Sequence, residues 1–285
     1  MFKDTFRDMA RGGIMPQQYY RAIWISDLHL GSKNVQSQSL LDFLEQTESE
    51  FLYLVGDIID LMQLQKKWHW PKINDQIVQS IYAKAQNGTK VFYIPGNHDA
   101  LVRRFAGLDV HGVRIITKVI HETVNGRRYL VMHGDKFDPV VQQSPRLASL
   151  GSSLYDYALS LSRYINILLG LLRCRYRSLS SWLKHQVKMA VNYMGHFEEV
   201  VAREGLGQGV DGLICGHIHR AGIRQLGSIL YSNSGDWVES CTALAENHHG
   251  YLGLIPWPVH SPLRSTIAQT HYEDVYRDRC LAPTN

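Results

Sequence analysis

Five short apolar runs in this chain stop in the same way. "RAIWIS" (21–26), "FLYLV" (51–55), "VFYIP" (91–95), "RYLVM" (128–132) and "DGLIC" (211–215) are rich in β-branched and aromatic residues, the composition of buried strands. They run into Asp27-Leu28-His29, Gly56-Asp57, Gly96-Asn97-His98-Asp99, His133-Gly134-Asp135 and Gly216-His217-Ile218-His219. Helix-like stretches at 35–48 and 74–87 separate the first three, and strand–helix alternation of this kind predicts an α/β layered fold. Further strands are expected within 227–237 and 250–255. In an open α/β sheet the residues just beyond the carboxyl ends of the strands converge on one site.

Each cluster alone reads as an ordinary turn, because Gly, Asn and Asp are turn formers for backbone reasons. Together they deliver carboxylate, carboxamide and imidazole, without thiolate, to a single sheet end. That donor set suits Mn²⁺, Fe²⁺ or Zn²⁺. The donors outnumber the four of a closed tetrahedral site, so two ions sharing a carboxylate account for them better. Paired metals of this kind perform phosphoester hydrolysis.

The 285 residues, 45% of them hydrophobic, suffice for one large domain with an insertion. A net charge of +4 makes no case for nucleic acid. Cys174, Cys215, Cys241 and Cys280 form no C-x-x-C pair, as in a reducing compartment. Residues 1–20 lack the apolar core of a secretory signal, and no apolar run approaches the ~20 residues of a membrane span. The expected organisation is an N-terminal extension (1–20), a metal-binding domain (21–255) with a helical cap inserted at about 145–205, and a peripheral tail (256–285). The expected location is cytoplasmic.

The ordered set D-x-H, G-D, G-N-H-D, H-G-D, G-H-x-H resembles the calcineurin-like metallophosphoesterase superfamily over roughly residues 21–235. The resemblance implies a two-sheet β-sandwich flanked by helices. It also implies that Asp27, His29 and His219 hold one divalent ion, and Asn97, His133 and His217 the other, with Asp57 between them. Mn²⁺ is the favoured metal. His98 corresponds to the non-ligand histidine near the leaving group, and Asp99 is expected to orient its ring. With all seven ligand positions filled, the chain does not look like a non-catalytic scaffold of the retromer-subunit kind.

The insertion bears on substrate. Between Asp156 and Glu198 it carries Arg163, Arg173, Arg175, Arg177, Lys184 and Lys188 and no acidic residue. Such a pair of amphipathic helices suits an anionic membrane surface or a lipid substrate; equally, it suits a solvated cap. The whole chain is similar to the UDP-2,3-diacylglucosamine pyrophosphatase family of lipid A biosynthesis, through "ISDLHLG" (25–31), the insertion and "GHIHR" (216–220). It departs from that family's best-known branch at His98, where the branch has Arg. The similarity implies cleavage of a nucleotide-sugar lipid to UMP and an acylated sugar 1-phosphate, by a protein peripheral on the inner membrane face. Asn97, Asp138, Arg163 and Asn166 are candidate substrate contacts. A soluble phosphoesterase acting on nucleotides, small phosphodiesters or phosphoprotein is the alternative. The insertion's basic residues lack an aromatic stacking platform, which argues against nucleic acid, and no obligate protein partner is inferred.

Overall fold

The computed structural model describes residues 18–137, 197 and 199–258. Its strands form two mixed sheets. The seven-stranded sheet runs β12 (Leu252–Pro256), β11 (Thr242–Glu246), β1 (Gln18–Ile25), β2 (Thr47–Val55), β3 (Lys90–Ile94), β5 (Val113–Ile115), β4 (Asp109–Val110). The five-stranded sheet runs β6 (Val119–Glu122), β7 (Arg128–Val131), β8 (Gly212–Cys215), β10 (Ile229–Asn233), β9 (Gly222–Leu226). β1, β2, β3 and β5 are parallel to their neighbours in that series, as are β7, β8 and β10 in the second sheet. The α/β two-sheet class expected from the sequence is the one observed.

The period-2 alternation of strand side chains assigns each residue to a layer. Ala22, Trp24, Tyr53, Val55, Ile94, Tyr129, Val131 and Ile214 meet between the two sheets. Ile23, Ile25, Leu52, Leu54, Val91 and Tyr93 face the other way and pack with Leu40, Phe43, Leu44, Ile77 and Ile81. These last residues come from the helices Ser37–Gln46 and Lys72–Gln86. On the far side, Leu130, Met132, Leu213 and Cys215 pack on Phe197 and Val201, where residues 199–208 are helical. The runs are apolar on both faces because both faces are covered.

One polar chain crosses the inter-sheet core. The Tyr53 hydroxyl lies 2.9 Å from His121 Nδ1, and His121 Nε2 lies 2.7 Å from Glu246 Oε2. Glu246 Oε1 accepts the Val124 amide, so every buried polar end is matched, as burial requires. This chain ties β2 and β11 of one sheet to β6 of the other.

Two boundaries move. β1 begins at Gln18, inside the expected extension, because Gln18, Tyr19 and Tyr20 pair with Thr47, Glu48 and Ser49. At the other end β12 runs to Pro256, and Trp257 packs edge-on against Phe43. Most of the insertion and the tail beyond residue 258 lie outside the described residues.

Candidate metal centre

The five strand-end clusters do meet. Ligand atoms of Asp27, His29 and His219 form one group within 4.8 Å of one another, and those of Asp57, His133 and His217 another. A third joins His29, Asp60 and His98. Asn97 completes the second group, with Oδ1 3.3 Å from His133 Nε2.

The backbone bends hard to achieve this. Among the described residues, seven non-glycine residues have positive φ, and five of them are Asp27 (54°), His29 (49°), Asp57 (53°), His217 (70°) and His219 (51°). An L-residue in this left-handed region costs about 1–2 kcal/mol. Such strain concentrates where geometry serves a site. The conformation turns each side chain inward at once after its strand, which an extended exit would not do. Glycine is needed beside it for space. A Cβ on Gly56, itself at φ 82°, would collide with the His133 ring, and one on Gly96 would collide with the Asp57 carboxylate.

The proton inventory shows what the centre lacks. His133 Nδ1 lies 2.9 Å from the Val55 carbonyl oxygen, which can only accept, so Nδ1 carries the proton. In a neutral ring Nε2 is then a lone pair, and it faces Asp57 Oδ2 at 3.4 Å and Asn97 Oδ1 at 3.3 Å. Three acceptors confront one another. The same holds on the other side. His29 Nδ1 donates to Asp60 Oδ2 (3.2 Å), leaving Nε2 facing His219 Nε2 at 3.3 Å. Asp27 Oδ1 is buried without a hydrogen bond, although His219 Nε2 is only 3.2 Å away. Converging acceptors need protons or a cation between them. The donor set and this orphaned carboxylate oxygen therefore fit divalent ions.

Without metal, protons fill the role. Burial alone would lower the basicity of His133, but the charge and hydrogen bond of Asp57 outweigh it and push its pKa up to about 10. For His219, burial is likewise outweighed by Asp27, and the value rises to about 9. Burial acts to raise the Asp57 carboxyl, yet His133, His98 and His29 together hold it well below the usual range.

Asp60 lies three positions past Asp57. It is the carboxylate that orients two histidines. Its Oδ2 takes His29 Nδ1, its Oδ1 takes His98 Nδ1 at 3.0 Å, and Oδ1 also caps the helix Leu61–Lys66 through the Gln63 amide. Its acidic spacing was visible, but a helix cap and a ligand-supporting carboxylate look alike in sequence. The expected role of Asp99 is corrected accordingly. Asp99 accepts from the Ile58 amide (2.9 Å), the Tyr93 hydroxyl (2.6 Å) and the Gly96 amide (2.5 Å). It braces the loops under the site and makes no bond to the His98 ring. Burial of His98 is offset by Asp60, and its pKa rises to about 9.

Two further braces escaped sequence reasoning. Arg103 Nη2 bonds both the Pro95 carbonyl (3.2 Å) and Asp135 Oδ2 (2.6 Å), tying the loop of Asn97 to that of His133. The segment 233–240 grips the loop after β1. There Ser26 Oγ donates to the Gly235 carbonyl and the Trp237 amide to the Asp27 carbonyl. Asp138, Arg163 and Asn166, the remaining expected contacts, lie outside the described residues.

The calcineurin-like phosphoesterase family model matches residues 20–221, a span that holds all of these strand-end clusters. This chain belongs to the calcineurin-like phosphoesterase family. That family implies divalent metal ions, in agreement with the acceptor geometry. Its relatives include the UDP-2,3-diacylglucosamine hydrolase of Xanthomonas campestris pv. campestris (strain B100), 31% identical over 122 residues, 40% of this chain. That alignment spans less than half of the Xanthomonas protein, 46%. The UDP-2,3-diacylglucosamine hydrolase of Escherichia coli O7:K1 (strain IAI39 / ExPEC) is 26% identical over 216 residues, 72% of this chain and 84% of that protein. Among solved structures, a dimetal phosphatase from Danio rerio aligns at 12% identity over 85% of this chain and 96% of that one, TM-score 0.40. Vps29 of Entamoeba histolytica complexed with Zn²⁺ aligns at 14% identity over 82% and 97%, also TM-score 0.40.

Since His133 and His219 hold protons up to pH about 10 and about 9 in the metal-free protein, a cation must displace them. Mn²⁺ uptake is expected to release protons, and apparent affinity to rise between pH 6 and 9 by about tenfold per pH unit for each proton displaced. Calorimetric titration in buffers of different ionisation enthalpy measures the release. Uptake independent of both buffer and pH would contradict this reading of the proton inventory.

Proposed function

We propose that this phosphoesterase is a dimetal hydrolase of a phosphodiester or pyrophosphate bond, with UDP-2,3-diacylglucosamine or a related nucleotide-linked lipid as substrate and UMP and an acylated sugar 1-phosphate as products. The observation that carries the reaction type is the pair of acceptor clusters, one of Asp27, His29 and His219 and one of Asp57, His133 and His217. The relatives named UDP-2,3-diacylglucosamine hydrolase, one of them matched over 84% of its length, support the substrate. In this reading Asp27, His29 and His219 hold one ion, Asn97, His133 and His217 the other, and Asp57 both, with Mn²⁺ favoured by the mixed oxygen and imidazole donors. Such ions supply an activated water near neutral pH and neutralise charge on the phosphate.

The chain's own residues do the rest. Val55 and Asp60 fix the tautomers of His133 and His29, so their Nε2 lone pairs point inward. Asp60 also holds His98 by Nδ1, which leaves Nε2 as the atom that can present a proton to the leaving oxygen. Neighbouring cations would lower the His98 pKa from about 9, toward the range where proton donation is efficient. The partly buried Asn97 and His98 flank the place where a phosphate would sit. Contacts from Asp138, Arg163 and Asn166, and cover of the lipid by the basic insertion at the inner membrane face, belong to the same reading. They rest on the sequence.

Purified protein with Mn²⁺ and UDP-2,3-diacylglucosamine in detergent is expected to release UMP, and Asp57→Asn to abolish the release. Hydrolysis confined to a soluble aryl phosphodiester would keep the reaction type and discard the lipid. His98→Ala is expected to lower turnover about 10²–10⁴-fold, the usual worth of a general acid, with metal content unchanged. Asp60→Asn should cost about 10–100-fold through the two imidazoles it orients. Steady-state kinetics beside metal analysis separates the two, and an Asp60→Asn protein with wild-type turnover would contradict the role given to Asp60.

A further inference from the structure

Tryptophan is usually hidden when a core is available, and Trp24, Trp237 and Trp257 are buried here. Trp68 is 74% exposed. It stands in "QKKWHWPK" (65–72), within a stretch, 61–73, that has three lysines and no acidic residue. Lys67 and Lys72 are exposed with it. The next tryptophan, Trp70, is anchored: its indole nitrogen donates to Asp75 Oδ1 (2.7 Å), and its ring packs on the helix-side core. The loop is thus pinned at Trp70, while Trp68 projects into solvent.

Its position is tied to the metal centre. Asp60, which holds His29 and His98, is also the N-cap of the six-residue helix Leu61–Lys66. At 1.5 Å per residue that helix carries the chain only about 9 Å from Asp60 before the loop begins. β3 is the hydrogen-bonded neighbour of β2, and the turn after it, Ala100–Phe105, leaves from the same sheet end. That turn exposes Leu101 (48%) and Phe105 (53%) beside exposed Arg104. His69 and Pro71 of the Trp68 loop share a cleft of about 300 Å³ with Lys33, Gln36 and Ser37. The loops that follow β2 and β3 at the metal end of the sheet therefore give its rim exposed apolar side chains and cations.

We propose that this rim, led by Trp68 with Lys67 and Lys72, docks on an anionic lipid bilayer and turns the mouth of the metal centre toward it. An indole with a wet edge suits the headgroup level, lysine stems lie along apolar surface while their ammonium groups reach phosphate, and each lysine is attracted to an anionic leaflet. Leu101 adds aliphatic area that base stacking would not use, which favours lipid over nucleic acid. The surface differs from the basic insertion and goes beyond the proposed reaction, since docking requires no turnover.

The test is sedimentation of the full chain with vesicles of phosphatidylcholine alone or with 30% phosphatidylglycerol, without substrate. Wild type is expected to bind the anionic vesicles and to lose binding in high salt. Trp68→Ala should weaken partitioning by roughly tenfold or more. The Lys67→Gln/Lys72→Gln pair should weaken it by about thirtyfold, from about 1 kcal/mol per lysine. Hydrolysis of a soluble aryl phosphodiester should persist in both variants. Three results would each overturn the proposal: no binding by wild type, full binding by both variants, or tighter binding to a single-stranded oligonucleotide that the same substitutions remove. A lipid-substrate failure with intact vesicle binding would sink only the reaction assignment.

Discussion

The Nε2 lone pair of His133 faces two oxygens, Asp57 Oδ2 and Asn97 Oδ1, because the Val55 carbonyl has already claimed the proton at Nδ1. Much of the molecule around it follows from making that encounter happen. Lone pairs brought to 3.3–3.4 Å repel one another unless something positive lies between them. In the metal-free chain a proton on His133 Nε2 supplies that charge and pairs with Asp57. Holding the groups this close also strains the backbone, visible as five left-handed residues at or just past strand ends. At about 1–2 kcal/mol apiece, these positions oppose folding of the metal-free chain, and a cation would offset part of that cost.

Two stacked sheets supply the rigidity. β1, β2 and β3 end on one side of the centre, with β7 and β8 on the other. The layer of Trp24, Tyr53, Tyr129 and Val131 between them sets the separation. Because the strands alternate strictly, a one-residue slip would carry Trp24 to the helix face and Asp27 out of reach of His219. The Tyr53–His121–Glu246 chain resists such a slip, since buried polar partners would be lost along with the packing. Arg103 and Asp135 add a local brace between the loops that carry Asn97 and His133.

The sheet strands that deliver ligands were legible in sequence because their chemistry is local: a β-branched run, then a turn with donors. The seven ligand candidates were legible for the same reason, and the geometry brings all of them together. What stayed hidden depends on tertiary context. β11, "TALAE", has the alanines and glutamate of a helix, yet lies flat and fully buried because the close-packed sheet demands small residues there. β4, β5 and β6 are too short for a period to register. Asp60 and Asp99 are both acidic residues near strand ends, and only the observed bonds distinguish the one that orients His98 from the one that braces the loops. Trp68 drew no attention because exposure is not written in composition.

The central claim is that Asp57 stands between two cation sites built from opposing acceptors. Equilibrium dialysis against Mn²⁺ followed by elemental analysis of the protein tests it directly. Two ions per chain in the wild type, falling to one or fewer in Asp57→Asn with the fold intact by circular dichroism, is the result this account predicts. A wild type that saturates at one ion, or an Asp57→Asn protein that still holds two, would contradict it.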